Sequence, residues 1–139
     1  FDAGWANALA SDKSQYNADF TEMTAKLRKG IFWSDGVEFT AAVVISTVMT
    51  QIKNPGMRFS AVLASNVASV DAPDPYTVVL KLKKPNSRFH ALFTVRWNAM
   101  WMMPKHVFDK VPDILQFAHD PPAGLGPYTL KPYYPNATQ

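Results

Sequence analysis

Strict alternation opens the most readable part of the chain. From residue 20 to 28, Thr21, Met23, Ala25 and Leu27 fall on one side and Glu22, Thr24, Lys26 and Arg28 on the other. A period of two predicts a half-buried strand. Lys29-Gly30 ends it, and Ser34-Asp35-Gly36 has strong turn chemistry, because glycine tolerates positive φ and aspartate bonds its own backbone. The period then lengthens: Thr40 stands at a helix start, and Ala41, Val44, Ile45, Val48 and Ile52 form one stripe up to the stop at Asn54-Pro55-Gly56. Residues 65–72 and 76–83 read as two strands joined by the turn Pro73-Asp74-Pro75, with Tyr76, Val78, Leu80 and Leu82 turned to the core. Ser87 opens a short helix carrying Phe89, Leu92 and Phe93, and Pro104 suits the first turn of a helix running towards Lys110. A second short helix is expected over 113–117, and a Gly/Pro loop, "PPAGLGPYTLKPY", feeds a last strand from Tyr128. The pattern predicts an α+β fold, mostly antiparallel strands with a few helices, and no repeat or shift in composition divides residues 1–139 into more than one domain.

Composition adds limits. At 139 residues, 47% hydrophobic and 18% charged, the chain can bury a sizeable core. The net charge is +3, but the cations are scattered: Lys26, Arg28 and Lys29 make one small group, Lys81, Lys83 and Lys84 another. Both groups fall at strand ends, where charge blunts edges, and neither amounts to a nucleic-acid footprint. The absence of cysteine excludes disulfides, thiolate metal sites and a cysteine nucleophile. No apolar run approaches the roughly 18 residues of a membrane span, and no basic start leads into an apolar signal core. The first residue is Phe1 rather than methionine, so an upstream segment, and some of the protein, is expected to be missing.

Candidate chemistry is sparse. His90, His106 and His119 lie far apart with no paired-ligand spacing, so no metal or other cofactor is expected. His106 and Asp109 could meet one helical turn apart, which a surface ion pair explains better than an acid–base pair. Gly124-Leu125-Gly126-Pro127 lacks a phosphate-binding lysine and precedes a strand, and no nucleophile elbow is present. What remains is a surplus of aromatic and thioether groups, with Trp97, Met100, Trp101, Met102 and Met103 inside seven positions. Such a cluster serves as core, or presents a rigid apolar wall to a ligand.

Taken in order and spacing, "LRKGIFWSDGVEFTA", "VDAPDPYTVVLKLKKPNSRF", "MMPKHVF" and "PPAGLGPYTL" resemble the extracellular solute-binding proteins of the oligopeptide and dipeptide ABC-transport family, and "YNADFTEMTAKLRKG" is similar to the strand before that family's Trp-Ser-Asp-Gly turn. The resemblance covers nearly the whole chain. It implies a subdomain of a periplasmic-binding-protein type 2 fold, here a piece of the N-terminal lobe of a longer two-lobed protein. Two positions depart from the family pattern. Val43 replaces an acidic residue that would close a capping box with Thr40, so the helix start should be looser. Leu125 replaces a residue with a hydroxyl.

The resemblance implies a non-catalytic component of an ABC importer that captures peptides and presents them to a membrane permease. Its partners would be the solute, the permease and the remaining lobe, with no nucleic acid. Placement would be periplasmic or extracellular, with a lipid anchor at the membrane surface as an option for the longer protein. Relatives that take nickel or haem are mildly disfavoured by the lack of a histidine cluster. Trp33 is expected to pack the turn onto the sheet, making residues 27–44 scaffold for one wall of a solute cleft. Ligand contacts are expected from Met57, Arg58 and Phe59, after the first helix, and from Trp97 and Trp101. A lone subdomain leaves one face of a ligand in water, so it should bind at millimolar level or worse, roughly 4 kcal/mol or less. The alternatives are a stand-alone interaction module using the surface from Trp97 to Met103 and a small enzyme using His106 with Asp109.

Overall fold

In the computed structural model, which describes residues 10–11, 13–93, 101–116 and 123–125, the alternating segment becomes the second strand of a four-stranded sheet. The strands are β1 (Gln15–Tyr16), β2 (Glu22–Lys26), β3 (Val67–Asp74) and β4 (Thr77–Leu82), ordered β1-β2-β4-β3 with every pair antiparallel. Met23 faces Leu80 across the β2–β4 ladder and Ala25 faces Val78, while Glu22 and Lys81 oppose each other on the outer face. This register puts Met23, Val78, Leu80 and Leu82 into the core, as the period of two requires.

Between β2 and β4 the chain crosses over through α1 (Ala41–Lys53), α2 (Ser60–Asn66) and β3. Helix α1 lies against β3, β4 and α2. Its buried face is Ala41, Val43, Val44, Thr47, Val48 and Gln51, so the stripe is rotated from the expected one: Ile45 and Ile52 are only half-buried. Thr40 occupies the cap position without a side-chain cap bond. Two helix-start amides find other acceptors: Ala41 N–H donates to the Pro75 carbonyl at 2.8 Å and Val43 N–H to the Thr40 carbonyl at 3.0 Å. The valine that replaces the capping acid is itself buried.

Three expectations need correction. Ser65 and Asn66 belong to α2 rather than to a strand; the helix runs straight into β3, with Leu63 wholly buried. Pro73 and Asp74 lie in β3, and the turn is Pro75-Tyr76, stabilised by the Tyr76 N–H donating to Asp74 Oδ1 at 2.8 Å. Tyr76 packs against the core as expected, half-buried, with its hydroxyl donating to Glu38 Oε1 at 2.7 Å. Residues 113–116 form a turn, with the Leu115 N–H on Asp113 Oδ1, and not a helix.

After β4 comes a 3₁₀ helix (Phe89–Phe93) with Phe89 buried, tied to β1 by the His90 N–H donating to the Tyr16 hydroxyl at 2.9 Å. Burial raises the Tyr16 phenol above its ordinary pKa and lowers the His90 imidazole. Then α3 (Lys105–Phe108) follows Pro104 and ends before Lys110. The expected strand from Tyr128 lies outside the described residues.

Candidate functional site

Gly30 and Gly36 sit at φ of 72° and 86°, a conformation that favours glycine, and between them the chain folds back on itself. Phe39 N–H donates to the Ile31 carbonyl at 2.8 Å, Trp33 N–H to the Val37 carbonyl at 2.7 Å and Gly36 N–H to the Trp33 carbonyl at 2.8 Å. Trp33 is 4% exposed, edge-on to Phe39 and to His106 with centroids 6.4 Å apart in each case. Its indole nitrogen has no hydrogen-bond partner among the described residues.

The turn is a junction. Ser34 N–H donates to the Gly124 carbonyl at 2.8 Å, and Gly124 N–H returns a bond to Ser34 Oγ at 3.2 Å. Asp35 Oδ2 meets His106 Nε2, the leading reason the Asp35 carboxyl is held below the usual carboxylate range. One helix away, Met103 N–H donates to the hydroxyl of wholly buried Thr47 at 3.0 Å. Met102, Ala123 and Leu125 pack on the core beside these bonds. The pairing of His106 with Asp35, and of Asp109 with Lys105, removes the expected His106–Asp109 contact and with it the geometric basis for an acid–base pair.

The predicted ligand residues divide into separate groups. Met57 and Phe59 are half-buried between α1 and α2, Phe59 against the core, with the Arg58 guanidinium 5.4 Å from the Phe59 ring centroid. The loop that carries them approaches the 113–116 turn: a Cβ on Gly56 would stand 3.0 Å from Leu115 Cδ1. Trp101 is 77% exposed, so it is not core. Among the described residues no ring contact joins Trp101 to Phe59, and Trp97 lies outside them. An open groove between α1 and α3, lined by Ala42, Ile45 and Met49 with Lys53, Lys105 and Asp109 at its rim, was not anticipated. Its signal was that α1 is apolar on more than one side. Among the described residues there is no group of acidic or histidine side chains placed to hold a metal, and no helix is long and apolar enough to cross a membrane.

Comparison with known proteins gives this geometry a context. The family model described as bacterial extracellular solute-binding proteins, family 5 Middle, matches residues 5–138. The glutathione-binding protein GsiB of Escherichia coli K12 is 33% identical over 108 residues, 77% of this chain and 20% of GsiB. The oligopeptide-binding protein AppA of Bacillus subtilis, solved with a nonapeptide, superimposes with a TM-score of 0.77 at 25% identity, over 92% of this chain and 25% of AppA. A periplasmic oligopeptide-binding protein of Thermotoga maritima gives 0.74 at 27% identity, over 91% and 23%. NikZ of Campylobacter jejuni, solved with Ni(L-His), gives 0.72 at 25%, over 91% and 24%. The chain thus spans about a fifth of the length of the curated relatives it matches, and its fold is part of the periplasmic-binding-protein type 2 fold. By its matched length and its shared architecture, this chain belongs to the bacterial extracellular solute-binding proteins of family 5.

Proposed function

We propose that the chain is part of the first lobe of a solute-binding component of an ABC importer, one that captures peptides outside the cytoplasmic membrane and hands them to a permease. The observation that carries the peptide class is that GsiB, named for glutathione, and AppA, solved with a nonapeptide, each share most of this chain. Anchoring of the longer protein by a lipid fits the same role. No catalytic step belongs to this reading, since His106 and Asp109 are each taken up by another partner.

Trp101 is the residue we assign first to the solute, because an exposed indole packs peptide backbone and side chains alike. Met57, Arg58, Phe59 and Trp97 are assigned with it. Titration of a tri- to pentapeptide pool into this chain and into the longer protein that contains it, followed by heat and tryptophan fluorescence, tests the reading. Micromolar affinity is expected of the longer protein and millimolar or weaker of this chain, a gap of about 4 kcal/mol. A longer protein indifferent to every peptide would overturn the substrate class, and micromolar binding by this chain alone would overturn the two-lobe account.

A further inference from the structure

We propose that Thr47 is a positioning residue for Trp101: its buried hydroxyl holds the main chain that aims the exposed indole, so the ring meets a ligand already oriented. The buried face of α1 runs through Ala41, Val43, Val44, Thr47 and Val48, and Thr47 is wholly buried among its apolar neighbours. A valine would fill the same volume there. Burying a hydroxyl costs free energy unless it is bonded, and this one finds its bond outside its own helix. It accepts the Met103 N–H at 3.0 Å, from 56 residues along the chain.

Met103 lies in a stretch, 101–104, that belongs to no helix or strand, so no ladder serves its amide. The three residues after Trp101 are each fixed in a different way. Met102 packs on the core, Met103 is tied to Thr47, and buried Pro104, with φ of −64° set by its ring, leads into α3. Trp101, one residue before the first of these, is 77% exposed. With so little of its surface in contact, the ring takes its direction from the backbone beneath it. Of the three attachments the Thr47 bond is the polar, directional one. Replacing the hydroxyl by a methyl leaves the Met103 N–H without that acceptor and lets the adjoining peptides rotate. A ring held in place before the solute arrives loses less freedom on binding, which for one large side chain is worth a factor of about two to ten in affinity. That value for binding rests on the assignment of Trp101 to the solute; the tether itself does not.

T47V keeps the volume and removes the hydroxyl, and T47S keeps the hydroxyl and removes the methyl, so the pair separates the tether from packing. In the ¹⁵N-labelled protein without peptide, T47V should lower the protection of the Met103 amide against hydrogen exchange at least about fivefold. It should also lower the order parameter of the Trp101 amide from the rigid value of about 0.85 towards about 0.6, while T47S should keep both. A residue that only filled space would give the reverse, because serine opens a cavity and valine does not. Unchanged protection and order in T47V, or the same losses in T47S, would overturn the tether. In the longer protein, the peptide pool should bind T47V about two- to tenfold more weakly than T47S or wild type. Equal affinity of all three, alongside the exchange and order effects, would leave the tether standing and overturn the assignment of Trp101 to the solute.

Discussion

Replacing Trp33 by phenylalanine should cost little, although Trp33 is one of the most buried large side chains at the junction. The change removes two buried carbons and the indole N–H. Two carbons at about 0.8 kcal/mol each amount to about 1.6 kcal/mol of lost burial. Against this, the N–H has no partner among the described residues, and removing an unbonded buried donor returns about 1 kcal/mol. Phenylalanine also keeps an aromatic edge for Phe39 and His106. The net loss should be on the order of 1 kcal/mol or less, against about 3–5 kcal/mol for W33A, which empties the site. Urea unfolding followed by far-ultraviolet circular dichroism measures both, since each change removes one of the four tryptophans and so alters the fluorescence signal itself. W33F should lower the midpoint by less than about 1 M at unchanged slope. A loss above about 3 kcal/mol for W33F would show that the indole nitrogen donates a bond, and the reasoning would fail.

Other consequences are as direct. Gln51 Oε1 is buried without a partner among the described residues, so Q51M, similar in length and apolar, should raise stability by about 1 kcal/mol in the same urea assay. L63A should cost about 2–5 kcal/mol because Leu63 is wholly buried; a loss below about 1 kcal/mol would mean that α2 is not part of the core. G36A meets no atom within 4 Å but must hold φ near 86°, so it should cost about 1–2 kcal/mol by backbone strain alone, read as a lower thermal midpoint. The folded-state pKa of Asp35 is depressed, chiefly by the His106 hydrogen bond. Its contribution is therefore present above the unfolded value, about 3.9, and is lost as pH falls through the folded value. The urea midpoint of wild type should drop more steeply than that of D35N below about pH 4.

The sheet was legible where one face is dry and the other wet. Met23 and Leu27 on β2 and its extension, and Val78, Leu80 and Leu82 on β4, alternate cleanly because water lies on one side only. Helix α2 was not legible. It has seven residues, only Ser60 and Leu63 buried, no cap bond, and no glycine or proline between it and β3, so nothing local separates helix from strand. On α1 the buried positions include Thr47 and Gln51, whose polarity hid the true stripe and favoured Ile45 and Ile52. The partner of Asp109 was recoverable, since Lys105 is four residues away, while the partner of His106 lies 71 residues away and leaves no local trace.

Those long separations explain how individually weak motifs can act as one signal. Each contact of the junction spans a large stretch of chain: 71 residues for Asp35–His106, 90 for Ser34–Gly124 and 56 for Thr47–Met103. Local turn chemistry accounts for Gly36 and Pro104, but not for Ser34, His106 or Thr47, which are set by partners elsewhere. The order and spacing of the segments therefore carry more than their separate compositions. The departure at Leu125 follows the same logic. Both bonds to Ser34 use the backbone of Gly124, so loss of a hydroxyl at the next position leaves them intact, and the leucine side chain adds a contact with the core. A change at Ser34 would have no such escape, because its hydroxyl accepts the Gly124 N–H directly.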